Sequence, residues 1–119
     1  MKPFLRSFRY ALAGIAYVVR TQRNARIHAA VSCLVILLGL YFRVTAIEWA
    51  ILVLTMGVVF SAEMINTVAE MAVDLLTQRF HPMAKIAKDA GAGAVLIAAI
   101  AAVAMGIAIF GSRVWELLF

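Results

Sequence analysis

Three long apolar stretches dominate the chain and alternate with short polar segments. A helix that spans a bilayer needs about 20 mostly apolar residues. The pattern predicts such helices at about residues 27–47, 49–74 and 84–111. The third contains an uninterrupted run without charge, 90–111. The second reaches spanning length only if it carries Glu63 into or near the membrane.

A different pattern marks the N-terminal segment, about residues 3–20. Its apolar side chains recur at helical spacing and are interleaved with basic residues that suit lipid headgroups. The apolar positions are Phe4, Phe8, Leu12, Ile15 and Val19. The pattern predicts an amphipathic helix that lies on the membrane surface. An ordinary packed helix is the alternative.

The composition excludes a soluble monomer. Of the 119 residues, 66% are hydrophobic and 14% are charged, whereas soluble domains carry roughly 45–50% apolar and about 25% charged residues. A chain of this length cannot hide so much apolar surface from water. We therefore predict one all-α integral-membrane domain over residues 1–119, with the N-terminal surface helix followed by three transmembrane helices.

The basic residues indicate how the chain is oriented. A net charge of +5 is typical of nucleic-acid binding in a soluble protein. Here, however, six basic residues precede the first predicted span and three lie between the second and third, which accounts for nine of the 11. Only Arg43 and Arg113 fall on the other side. Because short basic loops stay in the cytoplasm, we expect a multi-pass protein with a cytoplasmic N-terminus and no nucleic-acid partner.

Four polar residues of the second span share one helix face. Glu63, Asn66, Glu70 and Asp74 recur at helical spacing, and the opposite face is apolar. Carboxylates at membrane depth are costly, so this face is expected to line a bundle or a water-filled cleft. A three-span monomer would leave this face toward lipid, so the face implies partner chains that cover it. A seam that only holds helices together is the alternative to a functional site.

The carboxylates on such a face can take different chemical roles. A deeper carboxylate can take a proton, whereas a shallower one can hold a divalent cation through its oxygen atoms. Mg²⁺ typically uses one or two carboxylates together with substrate phosphates.

A second group of charges opens the third span. Lys88 and Asp89 follow the predicted cytoplasmic loop and could meet a phosphate, although lysines that anchor a helix end are the alternative. The small residues 90–94 predict a close helix contact. No phosphate-binding GxxxxGK[ST] motif occurs. His28 and His81 are too isolated to predict a zinc site.

Several of these segments together resemble one family. The stretches RNARIH at 23–28, AEMINT at 62–67 and HPMAKIAKDA at 81–90, with Glu70 and Asp74, resemble the prokaryotic diacylglycerol kinase/undecaprenol kinase family. The resemblance extends from about residue 8 to 106. It implies a small inner-membrane enzyme of the bacterial cell, assembled as a homotrimer with sites shared between subunits. Such an enzyme transfers the γ-phosphoryl group of MgATP to a lipid alcohol.

The resemblance also implies residue roles. Glu63 matches the general base, Asn66 a polar residue of the same site, Glu70 a Mg²⁺ ligand and Asp74 an acidic position on the same face. The positions that match nucleotide-contacting residues are Tyr10, Arg79 to His81, Lys88 and Asp89. One position departs from the family, because Gln22 stands where a second metal-binding glutamate is common. Its amide oxygen can coordinate Mg²⁺ and contact the nucleotide site, but it adds no negative charge.

The lipid acceptor stays open at this point. The Arg-Ile-His and His-Pro-x-Ala-Lys segments favour undecaprenol, and diacylglycerol is the alternative. A small proton-coupled transporter also fits intramembrane carboxylates, although it does not need Lys88 and Asp89 beside Glu70. A structural bundle without chemistry is the third possibility.

Overall fold

The chain folds into four helices without strands. A computed structural model describes residues 1–119, with α1 at Lys2–Thr21, α2 at Arg23–Phe42, α3 at Ala46–Leu76 and α4 at Pro82–Leu118. Helices α2, α3 and α4 are long and apolar enough to cross a membrane. This confirms the prediction of an all-helical chain with three candidate spans.

Helix α2 ends earlier than the predicted limit at residue 47. Arg43 adopts a left-handed backbone conformation (φ 53°) that closes the helix at Phe42. Thr45 then begins α3 with a capping box: its hydroxyl accepts from the Glu48 backbone N–H, and the Glu48 carboxylate accepts from the Thr45 backbone N–H. The Thr-x-x-Glu spacing is a helix-start signal. The start of α3 is therefore encoded in the sequence, although the neighbouring residues are mostly apolar.

The junction between α1 and α2 is a single extended residue, Gln22, which caps both helices. Arg26 reaches back across it and donates to the carbonyl oxygens of Val19 at 3.3 Å and Arg20 at 2.7 Å. These carbonyls lie in the last turn of α1, where a cation also interacts favourably with the helix dipole. Arg26 therefore fixes the bend between the two helices.

A small apolar core lies at the α2–α3 end of the bundle, around Val44, Leu52, Ile109 and Phe110. Beside it, Arg113 on α4 donates to both carboxylate oxygens of Glu48 on α3, at 2.7 and 2.8 Å. This bidentate pair ties the ends of α3 and α4 together. Nothing in the sequence pattern predicts this role for either residue.

Most of the surface is apolar and open. Only 12 of the 119 residues are buried within the chain. The face of α3 that carries Ile65, Val68 and Leu75 is exposed, with Leu75 at 87%. Water is a poor solvent for such a surface. The exposed positions accordingly fit contact with lipid or with other chains.

The deeper part of the polar face of α3, in contrast, is covered by the chain itself. Glu63, Asn66 and Thr67 are all buried, with His28 of α2 and Gly91 of α4 as neighbours. The expectation that a lone chain would leave this face toward lipid is therefore wrong for these residues. Helices α2 and α4 contact them within the chain.

Candidate functional site

The polar face of α3 changes from buried to exposed along its length. Glu63 is 2% exposed and Asn66 is also buried. Glu70, two turns from Glu63, is half-buried, and the Asp74 side chain is 64% exposed. The four predicted residues thus share one face, and this face runs from a dry interior to an open helix end. Carboxylates in such different surroundings can take different chemical roles.

Two buried oxygen atoms on this face lack a hydrogen-bond partner within the chain. They are Oε2 of Glu63 and Oδ1 of Asn66. Buried polar atoms are nearly always hydrogen-bonded, so each such exception needs an explanation. Both are acceptors, and a hydroxyl group is a suitable donor. A donor of this kind would satisfy either atom.

Asn66 connects the buried and the half-buried carboxylates. Its amide nitrogen donates to Oε1 of Glu70 over 3.4 Å, a long hydrogen bond. Across the interface, a Cβ atom at Gly91 of α4 would collide with Oδ1 of Asn66, whereas one at Gly93 would meet nothing within 4 Å. The predicted close helix contact is thus confirmed at Gly91. The absence of a side chain there leaves room for the Asn66 amide.

A cleft opens at the α3–α4 end, where the polar face reaches the surface. Its volume is about 590 Å³. Six residues that the resemblance assigned line it: Asp74, Arg79, Phe80, His81, Lys88 and Asp89. The Phe80 ring is exposed, and half-buried Thr77 also lines the cleft. The cleft is basic and aromatic in part, which is the chemistry that a nucleoside phosphate requires.

Two of the three cations that line the cleft, Lys85 and Lys88, are already paired with carboxylates. Lys88 donates to Oδ1 of Asp74 at 2.5 Å, and Lys85 donates to Oδ2 of Asp89 at 2.6 Å. Glu70 is a second carboxylate close enough to act electrostatically on Lys88. An arriving phosphate would therefore compete with Asp74 for the Lys88 ammonium group. Sequence spacing gives no sign of this pairing, because Asp74 and Lys88 lie on different helices.

Local hydrogen bonds give the loop its shape. The Thr77 hydroxyl accepts from the backbone N–H of Arg79 and donates to the Arg79 carbonyl oxygen. His81 caps α4 through Nδ1, which accepts from the backbone N–H of Met83 at 3.1 Å. Pro82 follows in the first turn, where its missing N–H costs nothing. The second ring nitrogen of His81, Nε2, is not used by the cap.

Comparison with known proteins places these features in one family. The family model for prokaryotic diacylglycerol kinase matches residues 9–110. The chain belongs to the prokaryotic diacylglycerol kinase family. This confirms the resemblance read from the sequence.

Named relatives within the family are lipid kinases. The chain is 45% identical over 107 residues to an undecaprenol kinase of Bacillus subtilis, which covers 90% of this chain and 87% of that protein. It is 50% identical over 101 residues to a diacylglycerol kinase of Synechocystis sp., which covers 84% of this chain and 58% of that protein. A diacylglycerol kinase of Helicobacter pylori is 34% identical over 104 residues, 83% of this chain and 80% of its own length. The prediction of a membrane-bound lipid kinase is confirmed, and the transporter and structural alternatives lose their support.

The remaining residues implied by the family resemblance lie outside the cleft. Tyr10 is exposed on α1, Gln22 occupies the α1–α2 junction, and Glu70 lies deeper along α3; none of the three lines the cleft. No group of three or more His, Cys, Asp or Glu side chains could hold a metal ion within one chain. The single chain thus assembles the polar face and the cleft, and Tyr10 and Gln22 do not line the cleft.

One residue at the polar face was not assigned a role from the sequence. His28 on α2 places Nε2 3.9 Å from Oε2 of Glu63. The sequence analysis considered His28 only as a metal ligand and found it isolated. The signal was its place in the RNARIH segment that carries the resemblance. Nothing in the residue spacing, however, says which α3 residue it would face.

Proposed function

We propose that this chain transfers the γ-phosphoryl group of MgATP to the hydroxyl group of undecaprenol. The observation that carries the proposal is the burial gradient along α3, from Glu63 with its unpartnered Oε2 to the basic cleft beside Asp74. A lipid alcohol needs a dry site reached from the bilayer, and a nucleotide needs an open site reached from water. One helix face supplies both.

Glu63 is the proposed general base and Asn66 the polar residue beside it. As the lipid oxygen attacks the γ-phosphorus, its proton passes to the Glu63 carboxylate, and ADP leaves. Phosphoryl transfer depends mainly on positioning and charge neutralisation, so one positioned acceptor for this proton is sufficient. The unpartnered Oε2 of Glu63 suits that role, because no group of the chain has to be displaced from it.

Glu70 fits as the proposed Mg²⁺ ligand. Its carboxylate forms no ion pair with a lysine or arginine within 4 Å and is half-buried between Glu63 and the cleft. Gln22 would add a neutral amide oxygen. When bound, Mg²⁺ neutralises charge on the β- and γ-phosphates. Because Gln22 carries no charge, Glu70 alone supplies the negative charge of this ligand set.

Lys88, Asp89, Arg79 and His81 are the proposed nucleotide contacts in the cleft, with Tyr10 from α1. Lys88 neutralises phosphate charge after it leaves Asp74. Tyr10 and Gln22 lie outside the cleft of their own chain. A homotrimer in which neighbouring chains complete each other's site, as the family resemblance implies, accounts for that separation.

We further propose a bacterial inner (cytoplasmic) membrane location with the N-terminus and the α3–α4 loop in the cytoplasm. The basic flanks support this orientation. Helix α1 then lies in the interface, where its exposed Phe4, Leu5 and Phe8 reach lipid and its arginines reach headgroups. This arrangement sets the cleft where ATP is available.

A substrate panel tests the acceptor. The purified protein is incubated with labelled MgATP and either undecaprenol or diacylglycerol in the same detergent. Faster phosphorylation of undecaprenol supports the proposal. Preference for diacylglycerol would favour the second candidate, which the 50% identical Synechocystis relative supports. Phosphorylation of neither lipid by the folded protein would contradict both.

A further inference from the structure

His28 is the one basic side chain within ion-pair distance of the buried Glu63 carboxylate. Its Nε2 atom lies 3.9 Å from Oε2 of Glu63, and no lysine or arginine forms an ion pair with this carboxylate. Basic residues of the flanking helices have partners of their own, since Arg26 donates to the end of α1 and Lys88 pairs with Asp74. A distance of 3.9 Å is longer than a hydrogen bond. A small side-chain rotation of either residue is enough to close it.

The two side chains differ in their access to water. The Glu63 side chain is 3% exposed and the His28 side chain is 21% exposed. After phosphoryl transfer, a base at Glu63 holds the proton of the lipid hydroxyl in a dry site. This proton must leave before the next turnover. His28 is the group between that site and the surface.

We propose that His28 is a positioning residue that acts through Glu63 and carries its proton away. The step follows the proposed function and rests on it. The O–H bond of protonated Glu63 breaks, a bond forms between the proton and Nε2 of His28, and the electron pair stays on Oε2. The resulting imidazolium then gives one proton to water. Glu63 is left ionised and aimed at the next hydroxyl group.

Chemical rescue tests this step. The full-length His28→Ala variant is assayed with MgATP and undecaprenol, with and without added imidazole. Loss of a proton-transfer partner is expected to lower kcat by about tenfold to a hundredfold, while KM for MgATP stays within a factor of about two. Imidazole restores part of the lost rate in His28→Ala, and it has no effect on the wild-type chain or on Glu63→Gln. A purely structural role of His28 would not give this pattern.

Two further variants complete the test. Ser32→Ala, one turn along the same helix, is the control and is expected to keep wild-type kcat. His28→Asn keeps a polar side chain that cannot carry a proton, so it is expected to be slow and insensitive to imidazole; it also serves if His28→Ala does not fold. A wild-type kcat in His28→Asn, or in His28→Ala without imidazole, would overturn the proposed role of His28 and leave the proposed function intact. Turnover by Glu63→Gln would instead contradict the proposed function.

Discussion

The Lys88 ammonium on α4 lies 2.5 Å from the Asp74 carboxylate on α3. This pair joins the two helices at the cleft, and both side chains are accessible to water. The contact holds Lys88 beside the exposed end of the polar face of α3. An ion pair at such an exposed site contributes little to stability. We therefore expect it to matter for binding rather than for folding.

Removal of the Lys88 charge is expected to weaken nucleotide binding. In Lys88→Met, KM for MgATP should rise about tenfold or more, because a charge-assisted hydrogen bond to phosphate is lost. Thermal stability should change little. The matched control is Arg43→Met, which removes one positive charge at the opposite end of the bundle. Steady-state kinetics with varied MgATP measures both, and an unchanged KM in Lys88→Met would remove Lys88 from the nucleotide site.

Gly91 is expected to tolerate no side chain. A Cβ atom there would collide with Oδ1 of Asn66, so Gly91→Ala should displace the amide, lower kcat and cost about 1–3 kcal/mol of unfolding free energy. Gly93→Ala is the control, because its Cβ would meet nothing within 4 Å. It should be neutral, or stabilising by up to about 1 kcal/mol as alanine favours the helix. Thermal unfolding and turnover are compared for both variants; equal behaviour would mean that Asn66 moves freely.

A carboxylate at Gln22 is expected to strengthen metal binding. Gln22→Glu adds the second negative charge that the proposed Mg²⁺ site lacks, so half-maximal activity should be reached at a lower Mg²⁺ concentration. Asn24→Asp adds the same charge in the first turn of α2 and shares any benefit from the helix dipole. A Mg²⁺ titration of activity distinguishes them. A shift of equal size in both variants would count against Gln22 as a ligand.

The Glu48–Arg113 pair is expected to be structural. Arg113→Met removes both hydrogen bonds to Glu48 and leaves a half-buried carboxylate without its partner. The melting temperature should fall, while kcat of the folded enzyme is retained, because the pair lies at the opposite end of α3 from the cleft. Glu116→Gln, at an exposed acid nearby, should leave the melting temperature unchanged. A loss of kcat without a loss of stability would contradict this assignment.

Helical periodicity was sufficient to predict the polar face of α3. The spacing of Glu63, Asn66, Glu70 and Asp74 matches the turn of a helix, so the four side chains share one face. The apolar residues on the opposite face indicated contact with lipid. The predicted end of α2 lay beyond the observed end at Phe42. The Val44–Ile47 segment is mostly apolar, and the capping signal at Thr45 consists of only two residues. Periodicity describes each helix separately, and a two-residue signal is easily outweighed by hydrophobicity.

The sequence did not predict which charged side chains pair between helices. The pairs Lys88–Asp74, Arg113–Glu48 and His28–Glu63 each depend on how two helices are rotated and shifted against each other. A single sequence contains no direct record of that rotation. For the same reason it could not show that α2 and α4 cover the polar face within one chain. The roles of Tyr10 and Gln22 stay predictions, because the chain alone does not bring them to the cleft.

The central claim is that Glu63 accepts the proton of the lipid hydroxyl. Its most direct test is the turnover of Glu63→Gln with MgATP and undecaprenol, measured beside MgATP binding and beside Glu116→Gln as the control. We expect kcat to fall at least about a hundredfold with MgATP binding retained, and turnover to stay normal in the control. Turnover of Glu63→Gln near the wild-type rate would contradict it.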